Sequence, residues 1–468
     1  MIVWPVHRMT PTSSRRTAAL RLLIPALLFG ATLFIRCRGI STHFWLLGDQ
    51  IRDWSIVLGS FSSLPLVGPA THVGGYTIGP GFYWILWACR VVLGPFFENL
   101  PHAGGIGQAV LHSLGEALLL FAVWRRTQSV WLGLATAVLV ATASLDLALS
   151  PVLWNPSMGA ALAKIATALV VMEFYRASAV RTAVTTAVAW VAVHAYTGAI
   201  FVALSVFAAL LVEPLWRKAH RTVARRAAVI AGTVALLQLP YVAHQIASRF
   251  QDPAMGALTD NFSRILSGAQ APRFAASLAG YTHAFNSIAV LPWTARYAPW
   301  ILLVCGVIVA VGHRRDPVLL TVTLAPQLAA IFGFAFFLGA LDDYYYLSLM
   351  PAAMLTLVLG ATTVPGVSLR LAVSVALLAA VLALVPARLR FAATIVRLPQ
   401  YGVLVDASRV LVRRGQPLRA VRTGFTLPLT SDPEFLFRVL GGRIDRKSPW
   451  IAIISADGQV AYRKAGGP

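Results

Sequence analysis

"GPGFYWILWACRVVLGPFF", residues 79–97, is the stretch on which the topology of this 468-residue chain turns. It is apolar and aromatic enough to enter a bilayer, yet Gly79-Pro80-Gly81 opens it, Gly94-Pro95 interrupts it and Arg90 sits inside it. Read as a span, it puts Arg125-Arg126 outside the membrane and inverts every crossing that follows. Read as a re-entrant or interfacial segment, it leaves Arg125-Arg126, Arg176 with Arg181, the run from Arg217 to Arg226, Arg314-Arg315 and Arg370 all inside. Only the second reading obeys the positive-inside rule.

The composition agrees with a polytopic membrane protein. Hydrophobic residues make up 58% of the chain and charged ones 12%, and the mean hydropathy is +0.72, which excludes a water-soluble globular chain. Apolar runs of roughly 17 to 22 residues recur from residue 18 to residue 386, each about long enough to cross ~30 Å of hydrocarbon as a helix. β-Barrel alternation is absent. The net charge of +22 is dispersed in short clusters between the apolar runs, so it marks topology and not a nucleic-acid surface. Cys37, Cys89 and Cys305 have no motif spacing and read as small buried hydrophobes, with neither a disulfide framework nor a metal cluster. Arg8, Arg15, Arg16 and Arg21 precede the apolar run 22–35 without a small-residue cleavage signature, which predicts a retained first helix starting in the cytoplasm. The wealth of Ala, Val, Leu and Arg suits a bacterial inner (cytoplasmic) membrane protein.

Following the arginines gives about eleven transmembrane helices: 18–36, then an outer loop 37–105 with its interfacial helical segment, then 106–124, 130–149, 157–175, 180–196, 198–213 and 226–246, a long outer loop 247–294, and 297–312, 317–340, 344–362 and 370–386. The pair 180–213 is the tightest, with about 34 residues for two crossings. No internal repeat of fixed period is present, which weakens a transporter built on inverted repeats. After 386 the character changes: Pro399, Pro417, Pro428 and Pro433 punctuate a basic segment. "SPWIAIISADGQVAYR" (448–463) predicts two short strands joined at Asp457-Gly458, with a helix near 432–440 ahead of them. The expected architecture is thus an α-helical polytopic membrane domain, 1–386, followed by a small C-terminal α/β extracytoplasmic domain, 387–468.

Of the 17 acids, five lie in the tail, leaving twelve for the whole membrane portion. Two of these, Asp49 and Asp53, fall in "WLLGDQIRDW" (45–54) just after the first helix. In a helix their i, i+4 spacing puts both carboxylates on one face. There one could act as general base on a hydroxyl while the other orients it or helps hold a divalent cation; equally, Asp49 could cap an interfacial helix and Asp53 pair with Arg52. The next stretch, "SSLPLVGPATHVGGYTIGPGFYWILW", is full of Gly and Pro turns leading to aromatics, and its His72 and Tyr83 are candidate substrate contacts. Such a loop fits a membrane-surface site for a lipid-linked substrate, or an interfacial aromatic belt.

"GDQIRDW" after helix 1, "LVGPAT…GGYTIGPGFYWIL", "SPVLWNPS" (150–157), "AVHAYTG" (192–198) and "DDYYYLSLMP" (342–351), in this order over residues 18–386, resemble the bacterial membrane glycosyltransferases of the GT-C superfamily, the protein-mannosyltransferase and aminoarabinose-transferase type. The resemblance implies an enzyme of eleven to thirteen helices that uses a polyprenyl-phosphate sugar as donor on the outer face. It also implies an essential Asp in the first outer loop, matched here by Asp49, as the general base. A second acid often precedes the family's counterpart of "GPGFYW"; this chain has Gly74, Gly75, Tyr76, Thr77 and Ile78 there. That departure puts metal binding in doubt and leaves Asp53 as the substitute.

The remaining motif residues carry two readings each. Asn155 can hydrogen-bond sugar hydroxyls or simply begin a span beside Pro156. His194 is either a packing residue or a functional intramembrane group. Asp342 and Asp343, beside Tyr345, are ligands for substrate or the acids expected at a helix N-terminus below an aromatic belt. An anionic phosphate leaving group requires outer-face cations, and Arg249, Arg264, Arg273 and Arg296 supply them; Arg90 and Lys164 lie in apolar stretches where a charge is expensive unless used. The functional expectation is an inverting, polyprenyl-phosphate-dependent glycosyltransferase with Asp49 as base, with no cofactor other than a divalent metal at Asp49 and Asp53 if there is one. Its partners would be the lipid-linked donor, a lipid, glycan or protein acceptor and membrane lipids, but no nucleic acid. The alternatives are a transporter or flippase of lipid-linked saccharides, for which Glu116, Lys164 and Glu173 look too few and too scattered, and a non-catalytic envelope-assembly protein.

Overall fold

A computed structural model describes residues 15–71, 74–289, 297–337, 339–395, 400–425 and 432–465. The chain opens with α1 (Arg15–Cys37), the short α2 (Gly48–Val57) and α3 (Gly81–Leu93), then α4 (His102–Thr127), α5 (Val130–Ala141), α6 (Ser144–Leu149), α7 (Asn155–Val171), α8 (Ala179–Ala195), α9 (Ile200–Trp216) and α10 (His220–Ala247). It continues with α11 (Pro253–Leu266), α12 (Phe274–Ala289), α13 (Ala298–Gly312), α14 (Pro317–Thr323), α15 (Ala325–Phe334), α16 (Met350–Leu359) and α17 (Val367–Ile395), and ends with α18 (Gln400–Arg413), β1 (Ala420–Thr423), α19 (Pro433–Val439), β2 (Trp450–Ile454) and β3 (Val460–Lys464).

Among the described residues, seven helical stretches are long and apolar enough to cross a membrane: Ala19–Cys37, His102–Thr127, Thr197–Trp216, His220–Ala247, Pro317–Phe334, Asp343–Thr363 and Val367–Ile395. They coincide with seven of the eleven expected spans. The other four expected spans fall on the shorter apolar helices α5, α7, α8 and α13, so length and composition by themselves qualify seven of the eleven. Large apolar side chains such as Leu22, Leu236, Leu303, Val307 and Leu382 are exposed along α1, α10, α13 and α17, as helices facing lipid require.

The stretch 79–97 holds a further short apolar helix, Gly81–Phe96. α3 begins at Gly81 against the side chain of His194, at the last turn of α8, and the chain after it leads directly into α4. Both ends of α3 therefore stay at one end of the bundle. At the other end, ion pairs lace the helix termini together: Arg126 of α4 pairs with Glu173 and with Asp316, and Arg176 pairs with Glu173 and with Glu213 of α9 at 2.8 Å. Arg217 reaches the same Glu213 at 3.2 Å. The arginine clusters that the positive-inside reading groups on one side thus occupy one layer.

Two expectations change. The stretch 247–294 contains two helices, α11 and α12, because Asp252 caps α11 by accepting the Ala254 N–H at 2.9 Å and Pro253 sits at its first position. The change of character at 387 falls inside α17, which runs through Pro386 to Ile395.

The tail forms a three-stranded sheet in the order β1-β2-β3, with β1 parallel to β2 (Val421 opposite Ala452) and β2 antiparallel to β3 (Ala452 opposite Tyr462). Ala452, Ile454 and Val421 are buried, as are Phe435, Leu436 and Phe437 of α19. Gly458 turns the β2–β3 loop at φ +84°, as the Asp-Gly pair predicts. α18 docks the tail on the segment between α1 and α4: the Gly402 N–H donates to the Thr42 carbonyl at 3.2 Å, Tyr401 Oη meets His102 Nε2 at 2.7 Å, and Arg409 pairs with Glu98 at 3.1 Å.

Replacing Arg126 by Met leaves Asp316 without its arginine and Glu173 with one instead of two. For partly exposed pairs the expected cost is about 1–3 kcal/mol, read as a lower apparent Tm in detergent.

Candidate functional site

The site is built on α2. Gln50 accepts the Leu47 N–H at 2.9 Å at its start, and Gln50, Asp53, Trp54 and Val57 form its buried face at helical spacing. Trp54 is fully buried and donates its indole N–H to the Asn99 carbonyl at 2.6 Å. This packing leaves Asp49 at the rim, with its side chain 48% exposed, and drives the Asp53 side chain to 0%. The two carboxylates share a helix face in the sequence but not an environment in the fold.

Arg52 lies between them. Its Nη1 donates to Asp49 Oδ1 at 2.9 Å and its Nε to Asp53 Oδ1 at 2.8 Å. Tyr83 Oη, from α3, donates to the same Asp53 oxygen at 2.9 Å. Burial pushes the Asp53 carboxyl above the usual carboxylate range, against the pull of Arg52 and the Tyr83 hydroxyl. Asp53 thus holds Arg52 and Tyr83 in place, while Asp49 is the carboxylate a substrate can reach. The Arg52 guanidinium occupies the place between the two carboxylates that a bridging ion would need and lends them its single positive charge, so this pair does not fit a metal.

The loop 64–80 is pinned from two sides. Thr77 Oγ1 donates to the His194 carbonyl at 3.1 Å and the Gly68 N–H to the Thr77 carbonyl at 3.2 Å. A Cβ at Gly79 would come within 2.4 Å of the His194 ring, so only glycine fits there. His194 itself is buried, with Nε2 2.7 Å from Gln238 Oε1. It supports the loop from beneath and does not face a cleft. On the other side Gly75, at φ +68°, lets Asp252 approach so closely that a Cβ would lie 1.8 Å from Asp252 Oδ1. Gly74-Gly75, where the resemblance expects an acid, is where the start of α11 seats a carboxylate of its own, that of Asp252.

A second group gathers around "SPVLWNPS". Gln108 of α4 ties this loop down, donating to the carbonyls of Leu149, Ser150 and Val152 and accepting the Trp154 N–H. Trp154 packs on Tyr344 with centroids 4.8 Å apart, Tyr344 stacks on Tyr345 at 4.8 Å, and Tyr345 meets Tyr196 at 6.2 Å. Asn155 begins α7 beside this aromatic row, Asp342 and Asp343 precede it, and Asp343 pairs with the exposed His283 at 2.8 Å. Asp342 stands at the N-cap position of the 3₁₀ helix that leads into α16 but makes no capping hydrogen bond with its side chain. Trp54 of α2 and Leu153 both pack on Gly104, so the two groups adjoin.

Arg249 is exposed at the end of α10 with a left-handed backbone, φ 54°, and Arg273 is exposed at the start of α12, its N–H donating to the Ala335 carbonyl at 2.7 Å. Arg90 caps the end of α2, donating to the carbonyls of Val57 and Gly59 at 2.9 Å. His72 and Arg296 lie outside the described residues. Glu116 and Lys164, which look scattered in the sequence, form one buried cluster with Arg36, His112 and Asp146. Charged residues within apolar helices are the signal that could have joined them.

No family model matches the sequence, and no curated protein matches it. Among solved structures, ArnT from Cupriavidus metallidurans bound to undecaprenyl phosphate is similar at 13% identity over 92% of this chain and 86% of that one, with a TM-score of 0.52. The chain has a GT-C-like membrane fold. The apo state of ArnT is equally similar, at 12% identity and a TM-score of 0.52. The oligosaccharyltransferase AglB from Archaeoglobus fulgidus, in complex with an inhibitory peptide and a dolichol-phosphate, gives 13% identity over 92% of this chain and 64% of that one, with a TM-score of 0.47.

Two substitutions test this geometry by thermal unfolding in detergent. Tyr83→Phe removes one donor from a buried carboxylate, for an expected loss of about 1–3 kcal/mol. Gly79→Ala lowers the apparent Tm, and adding His194→Ala, which clears the space the new methyl needs, restores part of it.

Proposed function

We propose that the protein is a glycosyltransferase that moves a sugar from a polyprenyl-phosphate-linked donor to an acceptor hydroxyl at the outer face of a bacterial inner membrane. The observation that carries this reading is the half-exposed Asp49 carboxylate on α2, held by an arginine whose other partner is a buried carboxylate that also accepts from a tyrosine hydroxyl. The likeness of the fold to a structure that contains undecaprenyl phosphate supports the choice of donor.

In this mechanism Asp49 accepts the proton of the acceptor hydroxyl as its oxygen attacks the anomeric carbon. The bond from that carbon to the phosphate oxygen breaks, polyprenyl phosphate leaves, and the anomeric configuration inverts. Arg52 keeps the Asp49 carboxylate directed, and Asp53 and Tyr83 position Arg52. The Trp154–Tyr344–Tyr345 row offers apolar ring faces to a sugar, with Asn155, Asp342 and Asp343 at its edge for the hydroxyls. Arg249, Arg273 and Arg296 are the cations we assign to the donor phosphate. The C-terminal domain, docked on the first outer loop through α18, borders the path of the acceptor.

Asp49→Asn is expected to lower kcat for transfer about 10²–10⁴-fold, the range of a lost general base, with the apparent Tm and undecaprenyl phosphate binding unchanged. Purified protein with labelled donor distinguishes transfer from translocation alone or neither, and full activity in Asp49→Asn would remove the base assignment. In cells, a polyprenyl-phosphate sugar that accumulates only with the variant identifies the donor by mass spectrometry.

A further inference from the structure

Inside the bundle, five ionisable side chains meet with no exposure to solvent: Arg36 of α1, His112 and Glu116 of α4, Asp146 of α6 and Lys164 of α7. The Lys164 ammonium is at their centre. It donates to His112 Nδ1 at 2.9 Å, to Glu116 Oε1 at 2.8 Å and to Asp146 Oδ2 at 2.6 Å, which uses all three of its N–H bonds. His112, Glu116 and Asp146 each offer a ligand atom within 4.8 Å of the others, the arrangement of a cation site. Arg36 closes one side, pairing with Glu116 and with Asp146 at 3.3 Å. Because His112 Nδ1 accepts from Lys164, its Nε2 carries the hydrogen and donates to Ser157 Oγ at 3.0 Å, in the first turn of α7.

We propose that His112, Glu116 and Asp146 form a monovalent-cation cage in the bundle, that its resident ion is the tethered ammonium of Lys164, and that the cage takes a free ammonium or potassium ion when the tether is cut. Charge balance selects the class. Arg36 and Lys164 match Glu116 and Asp146 one for one, so removing the lysine leaves one uncompensated carboxylate in a medium that solvates charge poorly. A single positive charge restores neutrality, whereas a divalent ion overshoots it beside Arg36. The donor distances of 2.6–2.9 Å also suit an ammonium-sized ion, while zinc would need them drawn in to about 2.0–2.2 Å. Glu116 Oε2 and Asp146 Oδ1, buried without a hydrogen-bond partner among the described residues, are further oxygens available to such an ion.

The test is thermal stability of purified Lys164→Ala in detergent, titrated with ammonium, potassium, choline, Mn²⁺ or Zn²⁺ chloride at constant ionic strength. Ammonium and potassium are expected to raise the apparent Tm saturably, choline to have no effect, and the wild type to respond to none of them. Stabilisation by Mn²⁺ or Zn²⁺ alone, or a variant indifferent to every ion, overturns the proposal. Should Lys164→Ala fail to accumulate, Lys164→Met is compared with Glu116→Gln/Lys164→Met, which restores the charge balance. The double variant is expected to accumulate better and melt higher than the single one, and the reverse order overturns the proposal.

Discussion

Charge has no water to turn to inside a bilayer, so a helix can carry an ionised residue there only if another helix answers it. Glu116, Asp146, Arg36 and Lys164 meet that condition together, and because they come from α1, α4, α6 and α7 the condition also fixes how these helices stand to one another. Removing one member leaves its neighbour buried and unpaired, which costs far more than the net worth of an intact pair. The same rule operates at the end of the bundle opposite α2, where Glu173 and Glu213 each serve more than one arginine and join the turns between helices.

At the end bearing α2 a different constraint holds, that of close backbone approach. The loop 64–80 lies against His194 on one side and Asp252 on the other because Gly79 and Gly75 have no side chain to hold them off. Glycine there serves apposition as much as turning. The result is a segment between α1 and α4 supported by α8 and touched by the start of α11, with α2 packed through Trp54 against the start of α4. A half-exposed carboxylate mounted on such a base keeps its direction, which a general base requires.

Burial also separates the roles of two residues that look equivalent in the sequence. Asp49 and Asp53 share a spacing, a helix and an arginine, yet one is open to solvent and the other is buried, accepting from Arg52 and Tyr83. In the proposed reaction the buried one positions Arg52 and the open one is the base. The arginine between them also explains why two acids so close do not need a metal ion.

The membrane class, the seven long apolar helices and the Asp-Gly turn of the tail were all legible in the sequence, because each follows from local composition. α2 as a helix was legible too, from the spacing of its residues. The helices within 247–294 were not, since neither is apolar along its whole length, and β1 was not, because four residues declare a parallel strand only through a partner thirty residues away. The cluster around Lys164 was hidden for the same reason: its members are up to 128 residues apart in the chain, from Arg36 to Lys164, and nothing local marks them as neighbours. Sequence by itself determined where charge is scarce and where the chain can cross a bilayer. Only the tertiary structure decided which charges answer one another and which of two aspartates faces solvent, because pairing and burial depend on helices brought together from distant parts of the chain.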